Sequence, residues 1–75
     1  MTTLDRLPLG QRGHIISVAG EDAVLQRLLE MGLLEGEEIQ VIGFAPLGDP
    51  MEILVCGYRL SLRKSEAAGV QIELL

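Results

Sequence analysis

The sequence predicts a mainly β protein: a small, strongly bent antiparallel barrel of about five strands, with one α-helix inserted after the first strand. Three observations carry that prediction. The stretch Leu28-Leu29-Glu30-Met31-Gly32-Leu33-Leu34-Glu35-Gly36-Glu37-Glu38-Ile39 reads as a helix ending, a turn and a strand beginning. The rest of the chain is broken into short β-rich runs bounded by Gly and Pro. With 75 residues the chain is one domain. A lone sheet of this size would leave its edges exposed, and closing it hides them.

The elements follow in order. Leu4, Leu7 and Leu9 surround Pro8 and predict an extended arm over the core, ending at the turn Gly10-Gln11-Arg12-Gly13. His14 to Ala19 is the first strand. From Glu21 the period changes to that of a helix, with Val24, Leu25, Leu28, Leu29 and Met31 on one side and Asp22, Gln26, Arg27 and Glu30 on the other. Gly32 can close that helix in the left-handed conformation, which places Leu33 to pack back on Leu28. Glu37 to Ala45 is the second strand, and Pro46-Leu47-Gly48-Asp49-Pro50 is a fixed loop. Glu52 to Cys56 is the third strand, and Gly57 turns it into a fourth, Tyr58 to Lys64, with Tyr58, Leu60 and Leu62 pointing one way and Arg59, Ser61 and Arg63 the other. Ser65 to Ala68 is a helical turn. Val70, Ile72 and Leu74 face inward on the last strand.

Composition excludes several function classes. Apolar residues make up 48% and aromatics only 3%, so the core is built from Leu, Ile and Val. The net charge is -5, from six Lys and Arg against eleven Asp and Glu. A nucleic-acid binder needs a basic face that displaces counterions, so none is expected as partner. Direct membrane insertion is not expected either, since no apolar run approaches the ~20 residues of a span. Met1 to Arg6 lacks the apolar segment of a signal peptide. The lone Cys56 forms no internal disulfide and fits a reducing cytoplasm.

The order Arg27-Leu28-Leu29-Glu30-Met31-Gly32-Leu33, Gly36 with Ile39, Ala45-Pro46-Leu47-Gly48-Asp49-Pro50, Leu60-Ser61-Leu62-Arg63 and Glu66-Ala67 closely resembles the FeoA family. The likeness runs from about Leu4 to the end of the chain. It implies an SH3-like barrel and a small, cytoplasmic, non-catalytic accessory of bacterial ferrous iron import. The implied partner is the cytoplasmic region of the membrane transporter FeoB, which could recruit the chain to the inner membrane; weak self-association is left open. A related domain forms the tail of some metal-dependent transcription repressors, so the alternative is a regulatory or metal-sensing module. The DNA-binding helices of those repressors have no room in 75 residues.

Candidate sites are few. No catalytic residue is assigned: Ser17, Ser61 and Ser65 lack a nucleophile-elbow context, and Glu37 and Glu38 point to opposite faces. His14 and Cys56 are the only strong transition-metal ligand types. A closed site needs more ligands than this pair, so the expectation is a turn-edge histidine, a buried small thiol and no bound cofactor. Arg59, Arg63 and Lys64 make a basic patch, expected to be a solvated strand face paired with nearby acids. The partner surface is expected at the helix end and the proline-bounded loop, from Arg27, Met31, Leu33, Leu47, Asp49 and Met51, where apolar groups sit on rigid turns.

Overall fold

A computed structural model describes residues 1–75. Its strands are β1 (Thr2–Thr3), β2 (Arg12–Val18), β3 (Glu38–Phe44), β4 (Met51–Val55), β5 (Tyr58–Leu62) and β6 (Val70–Leu74). A 3₁₀ turn spans Leu4–Arg6, and the helices are α1 (Asp22–Glu30) and α2 (Lys64–Ala67). The six strands form one antiparallel sheet in the order β1-β6-β2-β3-β4-β5. The strand that the sequence did not announce is β1. Leu4 and Leu7 of the arm are pinned in the core, and this draws Thr2 and Thr3 alongside Ile72 and Gln71 of β6. Leu9, expected to share that burial, is exposed beyond Pro8.

Two register shifts bend the sheet, between Ile15 and Ser17 of β2 and between Val41 and Gly43 of β3. Such bulges raise local twist and let a short sheet curl around its own interior. The β4–β5 hairpin has Cys56 (φ 52) and Gly57 (φ 83) at its tip. Positive φ at both central residues gives the twist that tight antiparallel hairpins need.

The interior holds fourteen buried apolar side chains, and no polar side chain is buried with them. Alternation explains their placement: Met51, Ile53 and Val55 of β4 point inward, as do Val70 and Ile72 of β6. Leu74, expected to continue that row, is 51% exposed at the end of β6, where the barrel interior has run out. Tyr58 also departs from the inward row; it is 46% exposed and reaches across to the end of α1.

Helix α1 buries less than its pattern predicts. Leu28 is fully buried, and Val24 and Met31 pack against the core. Leu25 is half-buried and Leu29 is 41% exposed. At 100° per residue, Val24, Leu28 and Met31 share one narrow edge, while Leu25 and Leu29 are rotated away from it. A single short helix beside a small barrel covers only that edge.

These positions give a direct contrast. Leu28→Ala should destabilise the protein by about 2–5 kcal/mol, because it empties a fully packed site. Leu29→Ala should cost less than about 1 kcal/mol. Urea denaturation of both variants checks this, and equal losses would mean that the buried edge of α1 is misassigned.

Candidate functional site

The end of α1 is closed as its glycine predicts. Gly32 has φ +98, its N–H donates to Leu29 O at 3.1 Å, and Leu33 N–H donates to Leu28 O at 3.1 Å. This pair of bonds is a Schellman close, and it carries Leu33 into the core. Leu33 is therefore fully buried and cannot contact a partner, which corrects its assignment to the docking surface. Leu33 shares the core with Leu28, as the turn at Gly32 predicts. Met31 is half-buried on the core, and its carbonyl accepts a hydrogen bond from Tyr58 Oη at 2.6 Å. The β4–β5 hairpin thus covers one of the carbonyls that a helix leaves unpaired.

The proline-bounded loop is held from both sides. Gly48 N–H donates to Ala45 O at 2.7 Å, and Ala45 N–H donates to Pro50 O at 2.9 Å. The Asp49–Pro50 peptide is cis. One Asp49 carboxylate oxygen accepts from the Lys64 N–H at 2.9 Å, at the start of α2. The Lys64 ammonium lies 5.4 Å from the Phe44 ring centroid, a cation–π contact across the base of the loop. On this frame Leu47 stands 96% exposed at the tip. Met51 does not join it. It opens β4 opposite Phe44 and Leu62, points inward and is fully buried, so its docking assignment is also corrected. The alternation Met51, Ile53, Val55 was the signal in the sequence that the loop reading overlooked.

Arg27 and Asp49 serve the fold rather than standing free. The Arg27 guanidinium is bonded to the Glu66 carboxylate, which joins α1 to α2. The other Glu66 oxygen accepts from Arg63 N–H at 3.0 Å, closing the first turn of α2. Burial alone would raise the Glu66 pKa. The hydrogen bonds from Arg63 and Arg27, with their positive charges, outweigh it and hold the carboxyl below its usual range. α2 is thereby a junction: Lys64 receives the loop and Glu66 receives the helix.

The metal-ligand candidates lie apart from this junction. His14 is half-buried within β2, not at a turn edge, and pairs across strands with Glu38 of β3 and Glu73 of β6. Its position inside the strand follows because β2 begins at Arg12, earlier than the turn reading placed it. Glu38 leans to Arg12 at 3.7 Å. Cys56 is exposed at the hairpin tip, which corrects the expectation of a buried thiol, because the two-residue turn projects it outward. Its Sγ rests 3.7 Å from Gly32 O and 3.5 Å from Glu37 Oε2. Local desolvation of the sulfur, then the hydrogen bond and charge of the Glu37 carboxylate, push the Cys56 thiol up. No group of three His, Cys, Asp or Glu side chains converges to hold a metal ion. Of the basic patch, Arg59 on β5 lies 3.7 Å from Glu52, whereas Arg63 and Lys64 fall beyond the strand and take part in no ion pair.

The bent six-stranded sheet, the nine-residue helix α1 and the aliphatic interior define the class: a small SH3-like barrel domain. A family model described as the FeoA domain matches residues 2–74, and the chain belongs to the FeoA family. A Porphyromonas gingivalis W83 protein named as an Fe(2+) transport protein A/Fe(2+) transporter FeoB fusion is 38% identical over 72 residues. That match takes in 96% of this chain and 8% of the fusion protein. The solution structure of FeoA from Chlorobium tepidum superposes with a TM-score of 0.92 at 42% identity, covering 99% of this chain and 70% of that one. The crystal structure of Stenotrophomonas maltophilia FeoA gives 0.84 at 35% identity, covering 97% and 91%. That protein is described as complexed with zinc, as a prokaryotic SH3 domain and as a candidate activating factor of ferrous iron transport. A manganese-dependent transcriptional repressor superposes at 0.89 over 99% of this chain and 41% of its own, but at 13% identity the likeness is of fold alone.

The Glu66 junction sets a pH dependence. A carboxyl whose folded pKa is lowered stabilises the fold fully above its unfolded value, and that stabilisation disappears as pH falls through the folded value. Glu66→Gln should therefore be less stable than the parent near neutral pH, by about 1 kcal/mol, since Arg27 is half-exposed and screened. The difference should close in strong acid, once the pH has fallen through the lowered folded value. Denaturation curves at both pH values check this, and a difference that does not change with pH would show that the Glu66 charge contributes nothing.

Proposed function

We propose that this chain is a non-catalytic accessory of ferrous iron import that acts by docking on the cytoplasmic region of a FeoB-type transporter. The observation that carries this reading is the relative in which a matching domain is joined to FeoB in one polypeptide. Joining two domains in one polypeptide gives each a high effective concentration of the other, an arrangement suited to domains that contact one another. The interior supports the non-catalytic part: with every buried side chain apolar, no titratable group sits in an enclosed site where its reactivity could be tuned. The surface supports the docking part. Of the residues expected to meet the partner, Leu47 is the apolar side chain that stands free, on a loop held by Asp49, Lys64 and Phe44. A rigid anchor loses little entropy on binding. The regulatory alternative draws on the repressor fold only, and no residue of this chain adds to it.

The same reading holds that the chain carries no tight iron or zinc site of its own. No three His, Cys, Asp or Glu side chains converge, Glu38 is turned toward Arg12, and tight zinc sites need about three or four ligands.

Leu47→Glu should weaken co-purification with the transporter and lower ferrous iron uptake in cells. Its melting curve should match the parent, because the replaced side chain makes no core contact. A folded Leu47→Glu variant that binds and supports uptake like the parent removes the loop from the interface. For metal, anaerobic calorimetry with ferrous iron, repeated with zinc, should show only weak binding. A stoichiometric, submicromolar site abolished by His14→Ala or Cys56→Ser would overturn the metal-free reading.

A further inference from the structure

The outward side of α1 carries an apolar stripe that the core does not use. Leu25 and Leu29 are four residues apart and lie on one face, half-buried and exposed respectively. Asp22, Gln26 and Glu30 form the neighbouring row at the same spacing. These five residues line one shallow groove along the helix.

The charge of this groove is one-sided. Asp22 and Glu30 take part in no ion pair. The helix has a single base, Arg27, and it is bound to Glu66 on the flank facing α2. Glu21, before the helix, and Glu35, beyond its end, add to the same sign. Asp22 has a local reason to be where it is, since the N-terminal end of a helix favours negative charge. Glu30 has none. It occupies the last residue of α1, where the carbonyl ends already concentrate negative potential and a Lys or Arg would be stabilising. A carboxylate kept at the unfavourable end of a helix, beside two leucines that the core leaves exposed, is complementary to a cation that the chain itself does not supply.

We infer that the Leu25–Leu29 stripe, flanked by Asp22 and Glu30, seats an apolar segment of the transporter's cytoplasmic region that carries Lys or Arg. This inference rests on the docking reading above and adds to the Leu47 loop a second contact of different chemistry. The leucines supply apolar burial, and the acids set orientation and speed encounter. An anionic lipid surface or a nucleic acid is repelled by the same charges. A second copy of the chain is disfavoured too, because two such grooves would bring Asp22 and Glu30 against their own duplicates.

The test uses the full chain and detergent-solubilised FeoB from the same genome, with affinity measured by biolayer interferometry at low and high salt. The parent should bind, and more weakly at about 300 mM than at about 50 mM salt. Glu30→Lys should weaken binding by about ten-fold at low salt, with a smaller loss at high salt. Its melting temperature should stay level or rise, since lysine suits the end of a helix. Leu25→Ser with Leu29→Ser should weaken binding by about ten-fold at both salt concentrations, while circular dichroism shows a folded barrel. If the parent binds and all these variants bind within about two-fold of it, the groove is not the seat and the inference fails while the docking reading stands. If the parent does not bind FeoB at all, the docking reading fails and the inference falls with it. If sedimentation shows that the parent self-associates and that Leu25→Ser with Leu29→Ser abolishes this, the occupant is a second copy and the inference is wrong.

Discussion

Fourteen apolar side chains, contributed by β2 to β6, both helices, the N-terminal arm and the turn after α1, share one interior. Leu9, Leu29, Leu47 and Leu54 stay exposed, because a chain of this size buries only about 60% of the surface it exposes when unfolded and its interior has room for little beyond these fourteen. No polar side chain goes with them. Strand curvature, the Schellman turn at Gly32 and the inward course of Leu33 and Met51 all follow from filling this one space. The same filling leaves every charged side chain on the outer surface.

That surface is stiffened by a very short element. α2 has four residues, yet Lys64 holds Asp49 of the β3–β4 loop and Glu66 holds Arg27 of α1. Ala67 is fully buried beneath them. The loop tip and the long helix, which lie far apart in sequence, are therefore fixed through one neighbour. Fixing them before a partner arrives reduces the ordering cost at binding. The two surfaces differ in character: Leu47 is an isolated apolar tip, whereas the outer side of α1 mixes apolar and acidic groups.

The electrostatics follow the same division. The three ion pairs, Arg12 with Glu38, Arg27 with Glu66 and Arg59 with Glu52, each bind an arginine within the molecule. The remaining acids dominate the field that an approaching partner meets, consistent with a net charge of -5. Such a field selects basic surfaces and rejects phosphate-rich ones over distances of about a Debye length.

Local sequence determined the elements because their signals are local. Gly32 specified the helix end, Cys56-Gly57 the tight hairpin, the alternation of Ile53 with Val55 a strand, and the ordered motifs the family. It also determined the sign of the surface. Only the tertiary structure decided which apolar residues remain outside. Leu33 was legible from the turn at Gly32, but the helical pattern put Leu29 on the same side as Leu28, and Leu29 is 41% exposed. The difference arises because Gly32 turns the chain back over the core, while a lone helix meets a small barrel along one edge. Met51 was decided the same way, by its register against Phe44 and Leu62. Arg27 and Asp49 looked free in sequence because their partners, Glu66 and Lys64, lie many residues away and are brought close only by the closing of the barrel. Contacts between distant residues depend on how all elements pack at once, and a pattern read along the chain does not contain that information.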